Sequence, residues 1–120
     1  MKRILMIIGG RAHPFEQCAA IFKSSMEAGG IFSIEVTQDL SALSDPSAYD
    51  AVAVYTGGVE MEADQERGLI EYVRGGGGLV VIHSANAAMK KYPAYLEMIG
   101  TEFVGHGPVA EVANRPLGFD

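Results

Sequence analysis

The 120-residue sequence contains one cysteine, Cys18, so it cannot form an internal disulfide bond or a metal site built from several cysteines. It also lacks a basic run, because its 9 lysines and arginines are scattered and outnumbered by 15 acidic residues. Nucleic acids and anionic membrane surfaces attract proteins mainly through clustered positive charge, so we expect neither as a partner. No apolar run approaches the roughly 20 residues that a transmembrane helix needs.

Two glycine signatures of nucleotide binding are also absent. The segment Gly9-Gly10-Arg11 lacks the G-x-G-x-x-G spacing, and the pattern G-x-x-x-x-G-K-[ST] does not occur. The tetraglycine at residues 75–78 precedes an apolar run rather than a helix, so it is not placed to hold phosphate at a helix N-terminus. We therefore expect no nucleotide cofactor.

The composition is typical of one globular domain spanning residues 1–120. Hydrophobic residues make up 48% of the chain and charged residues 20%, which provides apolar side chains for a modest core. The N-terminal Met1-Lys2-Arg3 is followed by only five apolar residues before Gly9. We interpret this segment as a first strand rather than a signal peptide, and we expect a cytoplasmic protein.

Apolar periodicity predicts alternating strands and helices. We expect strands at residues 4–8, 31–36, 51–55, 79–82 and 109–113, and helices after Pro14 and at residues 63–74, 85–90 and 93–99. The alternating pattern of the second strand is typical of a sheet edge, whereas the uninterrupted apolar run at 79–82 indicates a strand buried on both faces. The order predicts an α/β fold, a flavodoxin-like three-layer sandwich with a mainly parallel sheet of about five strands.

Two residues inside the predicted helices indicate packing rather than chemistry. Gly68 costs a helix about 1 kcal/mol relative to alanine, so we expect another element to pack closely against it. Cys18 shares the apolar face of the first helix with Phe15, Ala19 and Phe22. We interpret this thiol as a core side chain, because a reactive cysteine needs exposure and positive surroundings.

Three loops that follow predicted strands carry the candidate site residues. Because the carboxyl ends of parallel strands lie at one edge of a sheet, these loops are expected to converge there and to bind a ligand. Their glycines would let the backbone approach that ligand. The candidates are Gly9, Gly10, Arg11 and His13 after the first strand, Thr56, Gly57, Gly58 and Glu60 after the third, and His83, Ser84 and Asn86 after the fourth.

His83 and Ser84 admit several interpretations. In a purely structural interpretation, Ser84 caps a helix and His83 is a core histidine whose ring nitrogens are hydrogen-bonded. A serine-hydrolase interpretation lacks the pattern G-x-S-x-G, and no Asp after Ser84 precedes a His. A metal interpretation places a divalent ion such as zinc on His13, His83 and His106, with water in the fourth position or with Glu60 as an additional ligand. An imidazole also suits acid–base catalysis near neutral pH.

Several segments together resemble the trehalose-utilisation (ThuA-like) family, which has the class I glutamine amidotransferase-like fold. They are residues 9–13, 64–73, 75–78, 79–85 and 100–103, with His106. The resemblance implies bacterial metabolism of trehalose or a keto-disaccharide, and it carries over His13, His83, Ser84 and His106. In amidotransferase relatives a cysteine occupies the turn where His83 and Ser84 stand here, so thiol-based amide hydrolysis is not expected.

Two functions remain open from the sequence. In the first, the protein is a sugar-processing hydrolase or isomerase in which His83, Ser84 and His13 are catalytic. The glycines named above, with Arg11, Thr56, Glu60 and Asn86, would then bind the sugar. In the second, it is a non-catalytic binding module that forms a homo-oligomer. Family members are usually much longer than 120 residues, so we expect a shortened homologue or a chain whose sheet a partner completes.

Overall fold

A computed structural model of the chain describes residues 1–88 and 92–118. Strands and helices alternate in this part of the chain, and a 3-10 helix spans Leu40–Ser44. The elements are β1 Lys2–Gly10, α1 Phe15–Glu27, β2 Phe32–Thr37, β3 Ala51–Gly57, α2 Ala63–Arg74, β4 Gly78–Val81, α3 Ala85–Ala88 and α4 Pro93–Ile99. None of the described helices is long and apolar enough to cross a membrane.

The described strands form one parallel sheet in the order β2-β1-β3-β4. This is the flavodoxin-like arrangement, and it confirms the predicted fold class. The prediction of a fifth strand at residues 109–113 is wrong, because those residues are exposed and adopt neither strand nor helix. Residues 89 and 90, the end of one predicted helix, lie outside the described residues.

The sheet separates two apolar cores because successive side chains of a strand point to opposite faces. Leu5 and Ile7 of β1 pack with the 3-10 helix, α2 and α4, whereas Met6 and Ile8 pack beneath α1. Cys18 packs against the α1 core, as predicted from its helical spacing. The result is the predicted three-layer sandwich, with α1 on one face and α2 and α4 on the other.

The prediction that the fourth strand is buried on both faces is wrong. In the described chain β4 pairs only with β3 and forms an edge of the sheet, where Val80 is 49% exposed. The side of β4 that faces α2 and α4 is covered, but α1 packs over β1 and β2 and leaves the other side of β4 open. An apolar run cannot distinguish a central strand from an edge strand that is covered on one face.

Gly68 marks the predicted close contact in α2. A Cβ atom at this position would lie 2.2 Å from the carbonyl oxygen of Ser44 and 2.5 Å from that of Leu43. The C-terminal end of the 3-10 helix therefore rests directly on the α2 backbone. Only glycine allows this approach, and it offsets the poor helix propensity of this residue.

Asp50 joins the beginnings of β1 and β3. Its carboxylate accepts hydrogen bonds from Lys2 Nζ at 2.9 Å and from the backbone N–H of Arg3 at 2.8 Å. The hydrogen bond and the positive charge of Lys2, together with the Arg3 amide, lower the pKa of Asp50. Asp50 thus fixes the edge of the sheet opposite the candidate site.

Candidate functional site

The loops after β1, β3 and β4 enclose a cavity of about 480 Å³ at the carboxyl edge of the sheet. A cavity of this size is within the range of small-molecule sites. All three histidines of the sequence contribute to its wall, although they are far apart along the chain. The lining residues are Arg11, Ala12, His13, Gly57, Gly58, His83, Ser84, Asn86, Ala87, Phe103 and His106.

Two glycines bring the ends of β1 and β3 together at the base of this cavity. A Cβ atom on Gly10, whose φ is +106°, would lie 2.0 Å from the Gly57 carbonyl oxygen. The same oxygen accepts a hydrogen bond from the Arg11 backbone N–H at 2.7 Å. These two glycines therefore allow the loops after β1 and β3 to contact each other closely. This contact directs residues 11–13 across the ends of the strands.

The turn after β4 is a sharp elbow with His83 at its apex. The chain passes from β4 into α3 within three residues, and His83 adopts a left-handed backbone with φ +49°. Ser84 Oγ donates a hydrogen bond to the Thr56 carbonyl at 2.7 Å, which holds the elbow against the end of β3. A strained strand-to-helix turn is how nucleophile elbows expose a side chain, and here the exposed side chain is an imidazole.

His13 and His83 lie beside each other in the wall. Their ring centroids are 4.6 Å apart and their planes are inclined by 70°. The His13 ring also contacts the edge of Phe15 at 5.7 Å, and Phe15 packs on Tyr55 at 4.8 Å. Burial and a hydrogen bond involving the Cys18 thiol raise the pKa of Tyr55, so its phenol stays neutral in this aromatic support.

Backbone strain is concentrated in this wall. Within residues 1–88 and 92–118, the two non-glycine residues with positive φ are Ala12, at +77°, and His83, at +49°. Each such residue costs about 1–3 kcal/mol, and strain of this kind clusters at functional sites. The two strained residues lie in loops after different strands, and both loops line the cavity. The strain is therefore a feature of the cavity wall and not of a single turn.

Several predicted site residues do not share the cavity. Gly9 and Gly10 line a neighbouring depression of about 370 Å³ beside Gln38, and the wall does not include Glu60. Thr56 is fully buried, so its predicted contact with a sugar is not available in this arrangement. By the alternation of a strand its side chain lies on the same face of β3 as Val52 and Val54, which belong to the core that also holds Leu69 of α2.

The predicted three-histidine metal site is not assembled in the described chain. No three His, Cys, Asp or Glu side chains among residues 1–88 and 92–118 are grouped closely enough to hold one ion. His13 and His83 are adjacent, while His106 Nδ1 lies 2.6 Å from the Gly107 carbonyl oxygen. The described arrangement thus offers two neighbouring imidazoles, with no third His, Cys, Asp or Glu among the described residues close enough to share one ion with them.

Three wall residues were not among the sequence candidates. Ala12 and Ala87 are small and give no chemical signal in a sequence. Phe103 is 38% exposed and lies 6.2 Å from the His106 ring, centroid to centroid. An exposed aromatic residue three positions before a histidine in a glycine-rich loop was the signal that could have identified it.

This chain is similar to one known protein family and to solved structures. A family model described as ThuA, trehalose utilisation, matches residues 3–117. The crystal structure of a ThuA-like protein from Parabacteroides merdae ATCC 43184 has 28% sequence identity and a TM-score of 0.69, over 78% of this chain and 36% of its own. One from Bacteroides uniformis ATCC 8492 has 20% identity and a TM-score of 0.66, over 82% and 43%.

Because the protein from Bacteroides uniformis is only 20% identical to this chain, its similarity shows the fold alone. No curated protein is significantly similar to the chain. The present chain spans less than half the length of either crystallised protein.

Proposed function

Because this chain belongs to the trehalose utilisation (ThuA) family, we propose that it acts on a carbohydrate bound between the loops after β1, β3 and β4. The observation that supports this proposal is the pairing of His13 and His83, at 4.6 Å between ring centroids, in a cavity whose wall holds the backbone strain. Phe103 offers an apolar surface to a sugar ring. Asn86 offers an amide to its hydroxyl groups.

The pair of imidazoles favours proton transfer next to a carbonyl group, as in the isomerisation of a keto-sugar. One imidazole accepts the proton of the C–H bond beside the carbonyl, and the other donates a proton to the carbonyl oxygen. The enediol then accepts the proton of the first imidazole on the former carbonyl carbon, while the hydroxyl group on the other carbon gives its proton to the second imidazole and becomes the new carbonyl, so atoms and charge balance. Glycoside hydrolysis usually needs two carboxylates, and among the described wall residues there is no Asp or Glu.

Ser84 positions the elbow in this proposal. Its hydroxyl proton is donated to the Thr56 carbonyl, so the oxygen is not activated by a histidine in this arrangement. Loss of this hydrogen bond would release the elbow from β3. Metal binding by His13, His83 and His106 stays a prediction, and metal analysis of untagged protein prepared without chelator would test it alongside the proton-transfer assay.

Solvent deuterium exchange tests the proposal even when the product of the reaction is unidentified. The protein is incubated in D₂O with ketoses and keto-disaccharides, and NMR follows the C–H signal next to the carbonyl. We expect catalysed exchange with at least one sugar, loss of exchange in His83→Gly, and partial recovery when free imidazole is added. The absence of exchange and of sugar binding in the folded wild-type protein would refute the proposal.

A second candidate function is a non-catalytic module that assembles with a second copy of itself. The open side of β4 supports this candidate, because Val80 is exposed and Ile82, just after the strand, lines a small apolar hollow with Cys18 and Phe22 among others. An edge strand with unpaired backbone groups can pair with the same strand of another copy about a two-fold axis.

Sedimentation velocity at micromolar concentration distinguishes this candidate. We expect a dimer that Val80→Lys dissociates and that Val109→Lys leaves intact, since Val109 is 98% exposed outside the sheet. A wild-type monomer would exclude the candidate.

A further inference from the structure

The described wall of the cavity holds a fixed positive charge and no carboxylate, although the whole chain is acidic. The sequence carries a formal net charge of −6, with 15 acidic and 9 basic residues. Yet the titratable side chains in the described part of the wall are one arginine and three histidines, with no carboxylate among them. Because the rest of the chain has an excess of negative charge, a wall without carboxylates indicates that the cavity attracts anions.

Arg11 is the fixed positive charge of this wall, and a glycine makes room for it. Its Nη2 and Nε atoms lie 3.3 and 3.4 Å from the position that a Cβ atom on Gly58 would take. The guanidinium group therefore rests on the Gly58 backbone, which has a φ of +75°. Any side chain at this position would push against the guanidinium.

The Arg11 guanidinium also has no carboxylate partner within the described residues. By contrast, three other basic side chains are paired: Lys2 with Asp50, Arg3 with Glu35, and Lys23 with Glu27. No ion pair or side-chain hydrogen bond joins Arg11 to another part of the described chain. A planar guanidinium suits an oxyanion because it can donate two parallel hydrogen bonds.

We propose that the substrate of this cavity is an anionic sugar, whose carboxylate or phosphate group is bound by Arg11. The sugar carbon skeleton then lies over the pair formed by His13 and His83, in a wall that also includes Phe103. This inference rests on the proposed function, because it specifies the class of carbohydrate at the same site. It excludes neutral trehalose as the preferred ligand of the chain.

Isothermal titration calorimetry with three matched sugars tests the inference. Glucose is neutral, glucuronate carries a carboxylate at C6, and glucose 6-phosphate carries a phosphate at the same carbon. We expect at least one of the two anions to bind about tenfold or more tightly than glucose. Comparison of the anions identifies which oxyanion the site prefers, and inorganic phosphate as a competitor shows whether charge alone is sufficient.

The variant Arg11→Gln removes the charge and keeps a polar side chain of related shape. We expect it to weaken binding of the preferred anion by about 10- to 100-fold, the usual value of a hydrogen bond to a charged group, and to weaken binding of glucose by a much smaller factor. Arg74→Gln is the matched control, since Arg74 ends α2 just before β4 begins, at the opposite edge of the sheet. It should change neither affinity.

Each outcome bears on the inference separately from the proposed function. Equal affinity for glucose and both anions, or an unchanged anion affinity in folded Arg11→Gln, refutes the anionic substrate and leaves the carbohydrate proposal standing. Failure of any sugar to bind the wild-type protein, together with no deuterium exchange, refutes both. If Arg11→Gln does not fold, Arg11→Lys decides, because it keeps the charge but loses the two parallel donors and should weaken the anion by an intermediate factor.

Discussion

Glycine and alanine at residue 83 should show the reverse of their usual order of stability. In most positions glycine is the less stable of the two, because the unfolded chain gains conformational freedom. His83, however, adopts φ +49°, where a Cβ atom meets the following carbonyl oxygen. The comparison of His83→Ala with His83→Gly removes the imidazole in both variants and leaves only the backbone effect.

The expected magnitude follows from two opposing contributions. Left-handed backbone costs a non-glycine residue about 1–2 kcal/mol. The extra freedom of glycine in the unfolded chain costs about 0.5–1 kcal/mol. His83→Gly should therefore be more stable than His83→Ala by about 0–1.5 kcal/mol. At Ala87, four residues later in helical α3, the substitution Ala87→Gly should lower the free energy of unfolding by about 0.5–1 kcal/mol.

Urea unfolding followed by circular dichroism measures both comparisons, since the sequence has no tryptophan for fluorescence. The decisive result is the opposite sign at the two positions. If glycine at residue 83 were less stable than alanine by the same amount as at residue 87, the elbow would not be strained. The functional argument from strain would then fail. If His83→Gly is more stable than the wild-type protein but has lost exchange activity, the wild-type residue lowers stability in return for activity.

Gly68→Ala should lower the free energy of unfolding by about 1–3 kcal/mol, because the new methyl group overlaps the Ser44 carbonyl; the same urea assay applies, and a stabilised variant would show that helix propensity dominates. Gly29→Ala, which meets open space and has no positive φ, is its control and should change little. Asp50→Asn should lower the unfolding temperature at pH 7, because the lowered pKa of Asp50 stabilises the folded state above the ordinary Asp pKa. That contribution is lost as the pH falls through the lowered pKa, so the difference from wild type should shrink as the solution becomes more acidic than the ordinary Asp pKa; a constant difference would contradict the role given to the Lys2 contact.

Much of the fold could be predicted because its strands are short apolar runs bounded by glycine and its helices have clear apolar faces. The predicted limits of α2 match those observed, and the contact at Gly68 followed from its poor helix propensity. The position of β4 could not be predicted in the same way. Its apolar residues report burial on one face, whereas its place at the edge depends on which strands pair, and that is not encoded locally.

The convergence of the three loops was predictable because parallel strands place their carboxyl ends at one edge of the sheet. The burial of Thr56 could also be predicted, because alternation along β3 puts its side chain on the same face as Val52 and Val54. The backbone strain at Ala12 and His83 could not be predicted, because a left-handed conformation has no signal in the sequence when the residue is not glycine. His13 directly follows the first of these residues, and His83 is the second.

The weakest strand of the sheet carries the elbow, and this links ligand affinity to local opening. β4 has four residues, pairs in the described chain only with β3, and is partly exposed. Its amide hydrogens should exchange with solvent sooner than those of β1, which has a neighbour on each side. Whenever β4 detaches, His83 leaves the wall while the other three strands stay folded, so the observed dissociation constant equals the intrinsic constant divided by the closed fraction. Any surface that covers this edge would thereby tighten ligand binding without touching the ligand.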